Sequence, residues 1–236
     1  MGASPPEARI AKAAWAGLIL VLTVIVFSVA IRLGAESASA GLMLAMRGVH
    51  RVSASAEVLA AIALVWLAWR RSLAVAALTI FLSVLGILAG QKPPALAALG
   101  NLLGGLALAA AFAWVLGRAH GRAPQGRGLL SHAVVALFVL QCALGAWLSI
   151  FAEELWSLAL LAHALVGLAL AAGTAWLALR LPGARQRFAL LGAALAAPAA
   201  GAASALFGQP LAASLAHAAA GALLVAAAAY AHARLA

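Results

Sequence analysis

The chain has 236 residues, of which 67% are hydrophobic and 8% charged, with no aspartate and five glutamates. A soluble domain carries about 25% charged residues, so composition excludes an ordinary globular protein. The net charge of +10 would suit nucleic acid, but the cations fall singly or in small groups at the ends of apolar runs, which excludes that class too.

Eight apolar runs follow one another: 13–33, 51–69, 73–90, 94–117, 129–151, 156–179, 188–207 and 211–231. Each is near the roughly 20 residues a helix needs to cross a bilayer. Period-two alternation is absent, which excludes a barrel and leaves helices as the way to satisfy the backbone in lipid. The expected fold is therefore all-α integral membrane, with eight transmembrane helices. Ser37-Ala38-Ser39-Ala40 after the first run mimics a signal cleavage site. That run is too long for a signal peptide core, so an uncleaved first helix is expected.

The second run opens on Arg47-Gly48-Val49-His50-Arg51, behind Met43 and Met46, and carries Glu57 seven residues after His50. Glu57 is a carboxyl inside a membrane span and a weak catalytic candidate, able to exchange a proton or to pair with Arg51 or a nearby serine. The two methionines could ligate through sulfur, but packing is their more ordinary role. The fourth run carries Asn101. A Gly/Arg/Pro stretch, "GRAHGRAPQGRG", then leads into the fifth run, where Cys142 sits mid-helix as a packing residue. The sixth run carries His163 with Gly167 one turn later, and the eighth His217 with Gly221 one turn later. His120, His132 and His232 lie toward the other surface. The tryptophans fall mostly near span ends, as an interfacial belt would.

The two halves repeat. The segment from His50 through "ALVWLAWRR" parallels that from His163 through "GTAWLALRL", and "GQKPPALAALGNLLGGLAL" parallels "GQPLAASLAHAAAGALLV". His50 thereby falls on His163 and Asn101 on His217. The expected domains are residues 1–122 and 123–236. They form tandem four-helix bundles of one orientation, related by a pseudo-two-fold axis along the membrane normal. Arg9, Lys12, Arg70, Arg71, Arg118, Arg122, Arg127, Arg180, Arg185, Arg187 and Arg234 fall on one side. Only Arg32, Arg47, Arg51 and Lys92 fall on the other, beside Glu36, Glu153 and Glu154. The excess places both termini in the cytoplasm.

His163 lies seven residues past Trp156 and His217 seven past Pro210, where their spans open, so both sit about 10 Å deep from the same surface. Two imidazoles at equal depth on alternate helices of a bundle suit axial ligation of a heme iron, and Gly167 and Gly221 would leave room for a flat macrocycle. The competing reading is a buried histidine contact, with the glycines serving close helix packing. His217 and His232 are about 22 Å apart along one helix. An inner heme between His132 and His232 is therefore conceivable, although those helices are adjacent and not opposite.

"LQCALGAWLS" (140–149), "ALFGQPLAASLAHAAAGALLV" (205–225) and the His-Arg pair at His50-Arg51 resemble heme A synthase, a likeness that extends along nearly the whole chain. The resemblance implies a family that oxidises the methyl group of heme O to the formyl group of heme A. It implies a substrate heme in the first half, flanked by His50 and position 101 with Arg51 nearby, and a heme b in the second half ligated by His163 and His217. The sequence departs from that pattern in three places. Arg47 stands where the family has the glutamate of Glu-x-x-His-Arg, Asn101 replaces a second histidine, and the loop at about 34–46 is short and lacks a cysteine pair. The expected function is a heme A synthase-like b-type cytochrome of the bacterial inner membrane, for electron transfer or as an accessory subunit of a membrane redox complex. An active synthase and a heme-free scaffold are the alternatives. His50 opposite Asn101 would hold a second, five-coordinate heme, or would simply hydrogen-bond near the surface.

Overall fold

A computed structural model describes residues 5–34, 38–89, 94–121, 129–151, 156–181, 183–207 and 211–235. Among them every regular element is an α-helix: α1 Pro5–Leu33, α2 Ala40–Ala89, α3 Ala95–Ala119, α4 Leu129–Phe151, α5 Trp156–Leu179, α6 Ala184–Leu206 and α7 Leu211–Leu235. Alanine and leucine, the best helix formers, dominate these segments. All seven are long and apolar enough to cross a membrane. Their outward side chains are apolar as well: Trp66, Ile87, Leu88, Leu165, Leu195 and Leu206 are exposed. In water such a surface would aggregate; in a bilayer it meets lipid tails. These are the features of a multi-pass helical membrane protein.

The expected second and third runs are one helical element with a break at Ala68 (φ −152°, ψ 53°). No glycine or proline separates the runs, so the chain has no strong local reason to leave the helix. Ser72 repairs the break: its hydroxyl, fully buried, donates to the carbonyls of Leu64 and Ala68 at 3.0 Å each. The chain doubles back here. Thr79 Oγ1 donates to Glu57 Oε1 at 2.9 Å, whereas a straight helix would hold those residues about 33 Å apart. The first loop is also shorter than expected. Residues 40–50 are helical, because Gly-Leu-Met-Leu-Ala-Met is a good helical sequence apart from its glycine.

The helices pack antiparallel in sequence order. Gly17 of α1 admits the Phe112 ring of α3, and Gly105 of α3 lies against Ile25 of α1. A proximal end therefore gathers the start of α1 and the end of α3. The Arg71–Glu7 ion pair (2.9 Å) adds the α2 bend to it. Tyr230 adds the end of α7 and the start of α6, bonding His120 Nδ1 at 3.0 Å and accepting from Gln186 Nε2 at 2.9 Å. At the distal end, Arg32 donates to the Ser149 carbonyl at 2.9 Å. Of the described cations, Arg9, Lys12, Arg70, Arg71, Arg118, Arg180, Arg185, Arg187 and Arg234 lie toward the proximal end, and Arg32, Arg47 and Arg51 toward the distal. Lys92, Arg122, Arg127, Glu36, Glu153, Glu154, Pro210 and the 122/123 boundary lie outside the described residues.

Two apolar cores result. One joins α1, α2 and α3 around Phe112, Leu64 and Leu108, and also takes Ala222 and Ala226 of α7. The other joins α4 to α7 around Leu170, Leu177 and Leu190. The seam between them is α3 on α7, running parallel, with α1 against α7 and α3 against α4 beside it. A Cβ at Gly117 would lie 2.7 Å from the Tyr230 carbonyl oxygen and 2.8 Å from Ala233 Cβ. Backbone cannot yield there as a side-chain tip can. Gly117→Val should cost about 1–3 kcal/mol by overpacking. In detergent this should appear as a lower unfolding temperature and easier separation of the halves on limited proteolysis; an unchanged melt would show that α3 and α7 are not so closely seated.

Candidate cofactor site

His163 projects from α5 and His217 from α7, both near the distal end and both half-buried. Their ring centres are 6.0 Å apart with planes at 84°. The structure thus brings together the two residues that the sequence pairs by depth. Two imidazoles bound to one metal, each at about 2 Å, hold their ring centres on the order of 6 Å apart.

Each ring is held by a neighbour on the adjacent helix. His217 Nδ1 lies 3.0 Å from the Ala197 carbonyl of α6. A carbonyl only accepts, so Nδ1 carries the proton and the Nε2 lone pair is left for a ligand, the usual tautomer control of a metal-binding histidine. Pro198 follows Ala197 inside α6 and removes one rung of the helix ladder in the same turn. His163 Nε2 lies 3.3 Å from Gln141 Nε2 of α4, a long and weak contact. His163 Nδ1 and Gln141 Oε1 are buried without a hydrogen-bond partner. Such orphaned atoms are costly and mark an incompletely satisfied site.

Two glycines admit the rings. A Cβ at Gly145 would sit 2.8 Å from His163 Cε1, and one at Gly201 would sit 2.9 Å from His217 Cε1. Neither was singled out from sequence. The glycines expected to border a cofactor behave differently from each other. Gly167 is closed by the Gln141 side chain at 2.9 Å, whereas Gly221 has nothing within 4 Å of its would-be Cβ. The missing signal was the hairpin register. Gly145 is six residues before Phe151 and His163 seven after Trp156, so a short connection sets them side by side. The same reasoning pairs Gly201, five before Leu206, with His217, six after Leu211.

The first half differs. His50 on α2 and Asn101 on α3 both lie toward the distal end and are half-buried, and Arg51 is exposed. Among the described residues no hydrogen bond joins His50 to Asn101. Glu57, 6% exposed, is engaged by Thr79 across the α2 fold and not by Arg51. Met46 approaches Gly34 at the turn into α2, a packing position. Thr79→Val would strand the Glu57 carboxyl in an apolar interior at a cost of roughly 1–3 kcal/mol, while Glu57→Gln keeps an acceptor for Thr79 and should leave stability near wild type. Thermal unfolding in detergent separates the two; equal losses would show that the bond contributes little. Among the described residues, no three His, Cys, Asp or Glu side chains cluster as a metal site.

Compared with known proteins, the chain matches no family model and no curated sequence.

Proposed function

We propose that the chain is a heme A synthase-like b-type cytochrome of a bacterial cytoplasmic membrane, holding one heme between His163 and His217. The observation that carries this is the ring pair itself: two histidines 6.0 Å apart, one locked by Ala197 into the tautomer that offers Nε2. The residues fit the group. His163 has an orphaned buried nitrogen, Gly145 and Gly201 give each ring space, and the 3.3 Å Gln141 contact is weak enough to be displaced. His163 and His217 would be the axial ligands, and open space at Gly221 would face the macrocycle. When bound, such a heme supplies one-electron transfer.

Two further features support the reading. With α2 counted as two spans about Ala68, the described residues form eight, in halves of four. Exchanging the halves then turns the α1–α7 contact into the α4–α3 contact and leaves the parallel α3–α7 seam in place, as a pseudo-two-fold along the membrane normal requires. Nine described cations at the proximal end against three at the distal give the positive-inside orientation, with both termini cytoplasmic. The heme pair then lies toward the outer surface. In the first half, Arg47 and Asn101 stand where the synthase pattern has chemistry-bearing residues, and Glu57 is held by Thr79. The reading is accordingly a cytochrome, for electron transfer or as a subunit of a membrane redox complex, and not a working synthase.

Extraction of the pigment tests this. Purified protein should show a reduced-minus-oxidised spectrum of low-spin b-type heme and yield protoheme alone. Heme A or a hydroxylated heme O in the extract would overturn the loss of synthase chemistry, and protein without heme would sink the cytochrome reading.

A further inference from the structure

A second histidine pair stands at the opposite end of the same four helices. His132 lies in the first turn of α4 and His232 in the last turn of α7. Their ring centres are 5.8 Å apart with planes at 77°, nearly the geometry of the His163–His217 pair. An apolar crevice of about 90 Å³ between α4, α5 and α7 reaches His232, walled by Val135, Phe138, Leu177, Val225 and Ala228. Adjacency of α4 and α7, which counts against the pair in the sequence, does not keep the rings apart.

We propose that His132 and His232 are the axial ligands of a second b-type heme at the proximal, cytoplasmic end of the bundle. The proposal rests on the bis-histidine heme reading of the distal pair. The donor set selects the ligand. A bare zinc or copper ion in a protein takes three or four protein ligands, and the described residues offer no third His, Cys, Asp or Glu to this pair. A heme iron brings four nitrogens of its own and asks the protein for two imidazoles, which is what stands here.

The surroundings agree. Ala228 and Ala229 precede His232 by one turn on the same helix face, so the α7 side of the crevice has short side chains. On α4, Val135 and Val139 follow His132 at helical spacing and are exposed, so the crevice opens on the outer face of the bundle, and Phe138 and Leu177, core residues that wall it, would have to shift to seat a macrocycle. The two sites do not compete for space. His232 is fifteen residues beyond His217 on α7, about 22 Å along the axis. His132 is thirteen residues before Gly145, which lies level with His163, or about 20 Å along α4. The two helices thus give separations within about 3 Å of each other.

The test is heme stoichiometry and spectroscopy of protein purified from cells supplied with iron protoporphyrin. Wild type should carry two hemes per chain, resolved as two components in a redox titration. His132→Leu and His232→Leu should each leave one heme, with the component lost in His217→Ala intact. His232→Met provides a second variant that is proof against misfolding of the bundle end by leucine. It keeps a ligand and should retain both hemes with one midpoint raised, as Met/His ligation does. One heme per chain in wild type, unaltered by His132→Leu, His232→Leu and His232→Met but lost in His217→Ala, overturns this proposal and leaves the distal site standing. No heme in wild type overturns both.

Discussion

Replacing His217 with alanine should abolish the low-spin heme spectrum assigned to the distal pair, and His163→Ala should do the same. A six-coordinate low-spin iron needs both axial imidazoles, and no other His, Cys or Met lies within one turn of either residue on its own helix. Gln141, which touches His163, is a poor ligand for heme iron. Losing outer-shell support alone costs roughly 10–100-fold in metal affinity, so losing a ligand should cost more than that and empty the site during purification. The variants should otherwise fold, since removing a half-buried imidazole leaves Leu170, Leu190 and Leu224 packed as before. Far-UV circular dichroism and elution in detergent should match wild type. Added imidazole should restore the spectrum in His217→Gly, where the missing ring leaves a space of its own shape, which a merely structural role for His217 would not predict. His50→Ala, in the first half, should leave the distal heme unchanged. Persistence of the same low-spin component in both His163→Ala and His217→Ala would remove the central claim.

How far the sequence leads depends on which physical signal each feature leaves in it. Membrane helices are legible because lipid demands uninterrupted apolar length, and six of the seven helices lie where the runs place them. The break between the runs is legible at Arg70-Arg71, but the bend's place at Ala68 and its tightness are not. Trp-Leu-Ala-Trp-Arg-Arg-Ser contains nothing that breaks a helix, and only the folded state reveals Ser72 capping the break. The depth of His163 and His217 was readable from rise per residue, and their 6.0 Å approach follows it. What supports the rings was missed for a different reason. Spacing singles out Gly167 and Gly221, one turn from each ligand on the ligand's own helix, whereas Gln141, Gly145, Ala197 and Gly201 act from the neighbouring helix. Same-helix spacing is a property of one segment. Cross-helix contact depends on register between two, which short hairpin connections do encode. Glu57 illustrates the converse: its membrane burial was evident, but its partner Thr79 lies across the fold.

The contrast between Gly201 and Gly221 turns this into a measurement. Gly201→Ala places a methyl 2.9 Å from His217 Cε1 and 3.0 Å from Nδ1, closer than packed carbon atoms approach. The ring must shift, and a shift away from α6 lengthens the 3.0 Å bond to Ala197 on that helix. That bond fixes the proton on Nδ1 and aims Nε2, so its loss should lower heme affinity about 10–100-fold, the usual effect of removing a second-shell partner. Gly221→Ala adds its methyl where nothing lies within 4 Å, and its effect should depend wholly on whether a macrocycle fills that space. Without heme, Gly221→Ala should be neutral or slightly stabilising, because alanine is the better helix former by up to about 1 kcal/mol. With heme, it should lower occupancy without altering the ligand set. The two variants therefore separate in the spectrum: weakened binding with altered axial geometry for Gly201→Ala, and weakened binding with wild-type line shape for Gly221→Ala. Gly201→Ala with undiminished heme would show that the Ala197 contact does not orient His217. Gly221→Ala with undiminished heme would move the macrocycle to another side of the ring pair.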